Sequence, residues 1–164
     1  MTDFYTRDAT IADIPFLIHE LEIGAREGHF STDFLHAESK EIFRKQIRTA
    51  IRYNEEGRYS GHLLFIILRR SDDKKAGVIW FTATKDISGF PVLELRLVDV
   101  IKELRGKGCG SWAVSHGLAL YSSLPIMAKC FIKSNQMADM LKRRGFHCHE
   151  VLPSGTQVLY RDPQ

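Results

Sequence analysis

The first half of the chain carries hydrophobic residues at helical spacing in two stretches. After a short strand predicted at residues 2–8, Thr10 and Asp13 resemble a capping box at the start of a helix. The apolar stripe of this helix comprises Ile14, Leu17, Ile18, Leu21 and Ala25. A second helix is predicted over about 38–54, and the polar segment 26–37 is predicted to connect the two.

The middle of the chain changes to dense runs of β-branched, aliphatic and aromatic residues, which are typical of buried strands. Strands are predicted at 62–70, 76–84 and 92–100, and the first two should form a hairpin. A glycine-rich segment then leads into a helix that ends before Pro125. The elements predicted after it are a strand at 126–132, a helix at 134–144, and strands near 146–151 and 157–161. The order βααβββαβαββ indicates an α/β fold.

Length and composition indicate one ordinary globular domain spanning residues 1–164. The hydrophobic share of 44% excludes a disordered chain, and a net charge of +3 is too small for a dedicated nucleic-acid binder. Three cysteines without a CxxC pair favour reduced thiols in the cytoplasm. The sequence lacks a signal peptide and a membrane-length apolar run, so we expect no membrane partner.

The glycine-rich segment Arg105–Gly110 lies between a predicted strand and a predicted helix. Unpaired backbone N–H groups at such a turn can bind phosphate oxygens, and the helix dipole favours their negative charge. A tight turn without a ligand is the alternative interpretation. The P-loop pattern and the dinucleotide-binding fingerprint both fail here, because Ser or Thr does not follow Gly-Lys and no acidic residue ends the next strand.

Arg105-x-x-Gly108-x-Gly110 resembles the Q/R-x-x-G-x-G/A signature of the GNAT superfamily of N-acetyltransferases. The strand end at 98–100 and the Gly145-Phe146 ending of the next helix are similar to that family as well, and the element order extends the resemblance over nearly the whole chain. The resemblance implies a single α/β domain. Its mixed, mostly antiparallel central sheet would be splayed between strands four and five and flanked by about four helices.

The resemblance also implies acetyl-CoA as cofactor, with coenzyme A as product. The loop would hold the pyrophosphate and the edge of strand four would hold the pantetheine. The implied cofactor-binding residues are Val98, Val100, Arg105, Gly106, Lys107, Gly108, Cys109, Gly110, Ser111 and Asn135. Five basic residues and one acidic residue lie between 129 and 147, which places positive charge beside an anionic cofactor unless it is a solvated helix face.

Glu94 is the predicted general base, because a glutamate occupies the matching strand position in the histone-acetylating branch of the family. A surface residue paired with Arg96 is the alternative. Many relatives use a tyrosine on the short helix as general acid, but this chain has Leu141 at that position. Ser134 and Tyr160 are therefore the candidate catalytic donors, although Ser134 could instead cap a helix and Tyr160 could pack.

No metal site is expected, because His147 and His149 would share a strand face without suitably spaced further ligands. The segment 26–34 would line the acceptor side. Its Glu27 and Asp33 could attract an ammonium group and Phe30 could stack on it, unless the segment is a plain connection.

The predicted function is acetyl-CoA-dependent transfer of an acetyl group to a primary amine, of a small molecule or a protein, by direct attack in a ternary complex. A homodimer is compatible with this prediction, and a nucleic-acid partner is not expected. The alternative is an acyl-CoA-binding regulatory or interaction protein with weak or no catalysis, which Leu141 favours. A toxin-like enzyme acting on aminoacyl-tRNA is suggested only by the basic pI, and Leu141 counts against it.

Overall fold

A computed structural model describes residues 3–164 and contains seven strands and four helices in the predicted order. The strands are β1 (Phe4–Asp8), β2 (His62–Arg69), β3 (Lys75–Lys85), β4 (Pro91–Val100), β5 (Ile126–Cys130), β6 (His147–Val151) and β7 (Gln157–Arg161). The helices are α1 (Ile14–Arg26), α2 (Ala37–Glu55), α3 (Cys109–Leu120) and α4 (Asn135–Lys142). The α/β prediction is confirmed, and residue 2 of the predicted first strand lies outside the described residues.

All seven strands form one mixed sheet in the order β1-β2-β3-β4-β5-β7-β6. Within the described residues, β4 and β5 are the one parallel pair, and their register covers only Leu93–Leu95 against Ile126–Ala128. Beyond Leu95 the two strands have no paired residues, although β4 continues to Val100. The predicted splay between strands four and five is therefore confirmed.

Helices cover both faces of the sheet. Adjacent residues such as Ile66 and Ile67 are both fully buried, because successive side chains of a strand point to opposite faces. Helices α1 and α2 pack with Trp80 and Leu97 on one face. Helices α3 and α4 pack with Phe81 and Leu95 on the other. The strand β4 thus lies at the centre of the molecule with its core on both sides.

A bulge in β4 shifts the side chains that face the cleft. Trp80 of β3 lies opposite Leu97, whereas the next residue, Phe81, lies opposite Leu95. Arg96 is therefore the extra residue of β4, with no partner in this register. The bulge falls two positions after Glu94, beside the point where β5 diverges.

An ion cluster joins β1, β3 and the start of α1. The Asp13 carboxylate is buried and pairs with Arg7 at 2.7 Å and Lys75 at 2.8 Å, and it also accepts the Thr10 N–H at 2.8 Å. Burial alone would raise the pKa of Asp13, but the hydrogen bonds from Arg7 and Lys75 outweigh it and hold that pKa well below its usual range. The predicted Thr10–Asp13 capping box is present, and it precedes a short 3-10 turn rather than α1 itself.

Candidate functional site

A cavity of about 670 Å³ opens where β4 and β5 diverge. Its walls come from β4, the glycine loop, β5, the start of α4 and the segment between α1 and α2. This volume is in the range of small-molecule and cofactor sites, which lie preferentially in such clefts. The lining includes residues of the predicted cofactor site and two predicted catalytic residues, Glu94 and Ser134.

Seven of the ten predicted cofactor residues line this cavity: Val98, Val100, Arg105, Gly106, Gly108, Gly110 and Ser111. Lys107, Cys109 and Asn135 do not line it. Cys109 is fully buried because the first turn of α3 directs its side chain into the core. Its neighbours Gly108 and Gly110 nevertheless line the cavity.

The glycine loop requires glycine because of its backbone conformation, and not because a side chain would clash with a neighbour. Gly106 and Gly108 have φ values of +73° and +83°, in the left-handed region, and a Cβ built on either would meet nothing within 4 Å. Trp112 donates its N–H to the Gly108 carbonyl at 2.9 Å, the first bond of α3. The N–H groups of Cys109, Gly110 and Ser111, in the first turn of α3, therefore have no acceptor inside the helix, and this end of the cavity suits an anion.

Arg105, the first residue of the signature, is held by the protein itself. Its Nε donates to the Val100 carbonyl at 2.9 Å, and its Nη1 pairs with the Glu27 carboxylate at 2.6 Å. Its Nη2 lies 3.7 Å from Asp99. Arg105 thus joins the end of α1 to the end of β4 while it lines the cavity.

Arg144 positions the start of α3, a contact that sequence reasoning missed. Its guanidinium donates to Ser111 Oγ at 2.7 Å and to Ser115 Oγ at 3.0 Å. It also donates to the Met140 carbonyl of α4 at 3.0 Å. The only sequence signal was its place in the basic stretch after strand five, and the structure connects that stretch to the first turn of α3.

Glu94 lies half-buried on β4 and lines the cavity. Its register partners are Thr82 of β3 and Met127 of β5. No ion pair with Arg96 is found within residues 3–164, because the Arg96 guanidinium lies over the Trp80 ring, 4.6 Å from its centroid. A half-buried carboxylate without a cationic partner is able to accept a proton from a group in the cavity.

Ser134 lies immediately before α4 and contacts a histidine from across the cavity. Its Oγ is 3.0 Å from His29 Nδ1, and both side chains line the cavity. His29 comes from the segment between α1 and α2, 105 positions away in sequence, so sequence alone offered no signal for this pair. The Ser134 side chain makes no helix-capping bond.

Tyr160 lies outside the cavity lining. It is on β7 between Met127 and His147, and its ring centroid is 5.2 Å from that of His149. Burial, followed by the nearby Asp86 carboxylate, raises the pKa of Tyr160. The structure therefore brings Glu94 and Ser134 to one cavity but does not bring Tyr160 with them. Leu141, at the position of the family's tyrosine, is fully buried in the core.

Two buried carboxyl groups meet at the cavity wall, Glu20 of α1 and Asp99 of β4, and Asp99 itself lines the cavity. Neither Glu20 Oε2 nor Asp99 Oδ2 has a hydrogen-bond donor in reach. Burial, together with the hydrogen bond and charge of Glu20, raises the pKa of Asp99 to about 8. A proton shared by the two carboxyl groups would supply the missing donor.

The thiols near the site are unreactive. Cys109 and Cys130 are buried, and burial raises the pKa of each to about 11. A thiol with such a pKa is protonated at neutral pH and is a poor nucleophile. A transfer through an acetylated cysteine therefore has no chemical support here.

Within residues 3–164 no group of three or more His, Cys, Asp or Glu side chains is arranged to hold a metal ion. In the same part of the chain no helix is both long enough and apolar enough to cross a membrane.

Solved structures of acetyltransferases match the chain over its full length. A crystal structure of histone acetyltransferase HPA2 and related acetyltransferase from Corynebacterium glutamicum has a TM-score of 0.70 at 19% identity, covering 99% of this chain and 98% of that one. PaiA N-acetyltransferase from Thermoplasma acidophilum, in complex with coenzyme A, has a TM-score of 0.70 at 14% identity, covering 99% of both chains. An acetyltransferase of the GNAT family from Streptococcus pneumoniae has a TM-score of 0.67 at 14% identity, covering 98% and 99%.

No protein-family model matches the sequence, and no curated protein matches it either. The structural matches are enough to define the fold. The chain has the GNAT acetyltransferase fold, as the glycine signature and the element order predicted.

Proposed function

We propose that this protein is an acetyl-CoA-dependent N-acetyltransferase that transfers an acetyl group to a primary amine in a ternary complex. The observation that carries the proposal is the single cavity between β4 and β5. The first turn of α3, whose N–H groups have no acceptor inside the helix, lies at one end of this cavity, and both Glu94 and Ser134 lie on its walls. The coenzyme A complex of the Thermoplasma neighbour, which has the same fold, supports the choice of cofactor.

The residues present fit a phosphorylated, pantetheine-bearing cofactor. The open left-handed loop at Gly106 and Gly108 and the first turn of α3 would hold the pyrophosphate. The edge of β4 at Val98–Val100 has no β5 partner, so its backbone groups would bond the pantetheine amides as a neighbouring strand would. When bound, acetyl-CoA supplies an acetyl thioester, whose carbonyl carbon accepts a nucleophile.

Glu94 would act as general base. An amine attacks only when it is neutral, and in forming the new C–N bond it loses a proton to a base within reach or through one water. Glu94 is the carboxylate on the cavity wall that has neither an ion-pair partner nor a neighbouring carboxyl within residues 3–164. Holding the amine beside the thioester supplies much of the remaining rate.

Ser134 would donate the proton that the departing sulfur takes as the C–S bond breaks. Its hydroxyl lies on the cavity wall, and His29 at 3.0 Å orients it and can return a proton to it. The pair would serve in place of the tyrosine that Leu141 replaces.

The free thiols of Cys109, Cys130 and Cys148 favour a reducing compartment such as the cytoplasm.

The test is coenzyme A release with a broad panel of primary amines across pH, for the natural protein and for Glu94→Gln. We expect Glu94→Gln to lower kcat/KM about 100-fold at neutral pH, because general-base catalysis contributes at least that much. The loss should shrink at high pH, where the amine deprotonates unaided. Glu55→Gln, an exposed glutamate at the end of α2, is the matched control. Full activity of Glu94→Gln at every pH would contradict the assignment.

Buried Leu141 supports a second function, an acyl-CoA-binding protein with weak or no catalysis. The same assay separates the two. Binding of acetyl-CoA without coenzyme A release for any amine would favour the second function, and amine-dependent release excludes it.

A further inference from the structure

Three basic side chains line the cavity close to Glu94 and Ser134: Arg96, Lys129 and Lys133. All three residues are exposed. None of them forms an ion pair with a carboxylate in the described part of the chain. The cavity therefore carries positive charge that the protein does not neutralise internally.

The acidic residues that could neutralise this charge are engaged elsewhere. Glu27 pairs with Arg105 at 2.6 Å, and Asp99 is buried against Glu20. Asp33 is exposed and does not line the cavity. The prediction that Glu27 and Asp33 attract an ammonium group is therefore wrong for this geometry. Glu94 and Asp99 are the two acidic residues of the described chain that line the cavity, and of these Glu94 is the one without a partner in the protein.

Arg96 and Lys129 lie at the end of the cleft where β4 and β5 are still paired, whereas the glycine loop lies beyond the end of β4. Arg96 directly follows Leu95, the last residue of β4 that pairs with β5, and Lys129 directly follows Ala128, the last residue of β5 that pairs with β4. Arg96 is four strand residues, or about 13 Å, before the end of β4 at Val100. The anion-binding loop begins only beyond that end. A phosphate bound at the loop therefore leaves these cations unpaired.

Local packing holds two of the cations in place. The bulge of β4 presents the Arg96 guanidinium over Trp80, at 4.6 Å from the ring centroid, and Trp80 itself lines the cavity. Lys133 precedes Ser134, and its stem packs so closely on Gly28 that a Cβ there would lie 3.0 Å from Lys133 Cγ. Ordered cations that face a common space are suited to bind an anionic oxygen group.

We infer that the acceptor is an amine that also bears an anionic oxygen group, such as the carboxylate of an amino acid, which Arg96 and Lys129 bind while Glu94 receives the amine. This inference rests on the proposed function for the transfer step. A polyamine is disfavoured, because its further ammonium groups would face unpaired cations of the same sign.

The test uses matched acceptors that differ only in the carboxylate: leucine against isoamylamine, phenylalanine against phenethylamine, with spermidine as the polycation. Coenzyme A release gives kcat/KM, and calorimetric titration of each acceptor in the presence of coenzyme A gives Kd. We expect the carboxylate-bearing member to be favoured about 10- to 100-fold, the range for hydrogen bonds to a charged group. Arg96→Gln and Lys129→Gln should each reduce that preference about tenfold.

Lys85→Gln, which removes an exposed lysine outside the cavity, is the control and should leave the preference unchanged. The KM for acetyl-CoA should be unchanged in all three variants. Equal Kd values within each pair, or tighter binding of spermidine, would overturn the inference. So would variants that weaken acetyl-CoA binding but leave the acceptor preference intact. If no acceptor is acetylated, the proposed function fails, whereas the calorimetric preference still decides the inference.

Discussion

At single side chains, the site depends on contacts between residues far apart in sequence. Glu94 and Ser134 were predicted from their positions on a strand and before a helix, and the structure places both on one cavity. His29 was predicted only as part of the segment 26–34 on the acceptor side, and Arg96 only as an alternative partner of Glu94. His29 contacts Ser134, which is 105 positions away in sequence. Arg96 lies at a bulge of β4 that is visible only from the register of the paired strands. Local periodicity carries neither kind of information.

The Glu20–Asp99 pair makes stability depend on pH in a direction opposite to that of a salt-bridged carboxylate. The pKa of Asp99 is raised above its unfolded value, so the native state binds a proton that the unfolded chain releases above pH 4. The stabilisation is present below the unfolded pKa and is lost as pH rises through the folded pKa.

We therefore expect Asp99→Asn, which keeps the shape and removes the titration, to gain stability relative to the natural protein between pH 5 and pH 9. Urea denaturation at both pH values measures the difference. Asp33→Asn changes an exposed aspartate away from the cavity and is the control. A difference for Asp99→Asn that is equal at the two pH values, or larger at pH 5, would refute the assignment.

Among the secondary structure elements, those with strong periodicity were predicted closely. Helix α2 was predicted at 38–54 and spans Ala37–Glu55, and β7 spans the predicted residues Gln157–Arg161. Strand β5 ends at Cys130, two residues before the prediction. The apolar run continues to Ile132, but Phe131 leaves the strand for a 3-10 turn that places Ser134 at the cavity. Tertiary position, rather than hydrophobicity, decides where that strand ends.

The start of α3 is the element on which the proposed cofactor binding depends. Gly108→Val should abolish measurable acetyl-CoA binding, because a β-branched residue resists the left-handed conformation that aims the loop N–H groups at the cavity. Gly57→Val is a matched control: Gly57 is also left-handed, with φ +71°, and also has open space around its Cβ position. Both variants should lose about 1–2 kcal/mol of stability from strain.

Isothermal titration calorimetry with acetyl-CoA distinguishes the two variants. Gly57→Val should bind as the natural protein does, and Gly108→Val should give no heat of binding. Equal affinity of both variants would mean that the loop does not hold the cofactor.

For the molecule overall, the arrangement of the sheet explains why the fold was predictable and the acceptor was not. The Gly-rich loop was predicted from the motif, and the splay between strands four and five and the flanking helices from the family resemblance that motif and element order carry. The net charge around the proposed acceptor site depends on which ion pairs form in the folded chain, such as that between Glu27 and Arg105. The net charge of +3 does not indicate which residues pair.

Thermal unfolding with and without acetyl-CoA tests the central claim most directly. A ligand that binds only the native state at a hundredfold excess over Kd stabilises it by about 2.7 kcal/mol. For a protein of this size that corresponds to a rise in Tm of roughly 5–10 °C. We expect this rise with acetyl-CoA and with coenzyme A. An unchanged Tm at saturating acetyl-CoA would contradict it.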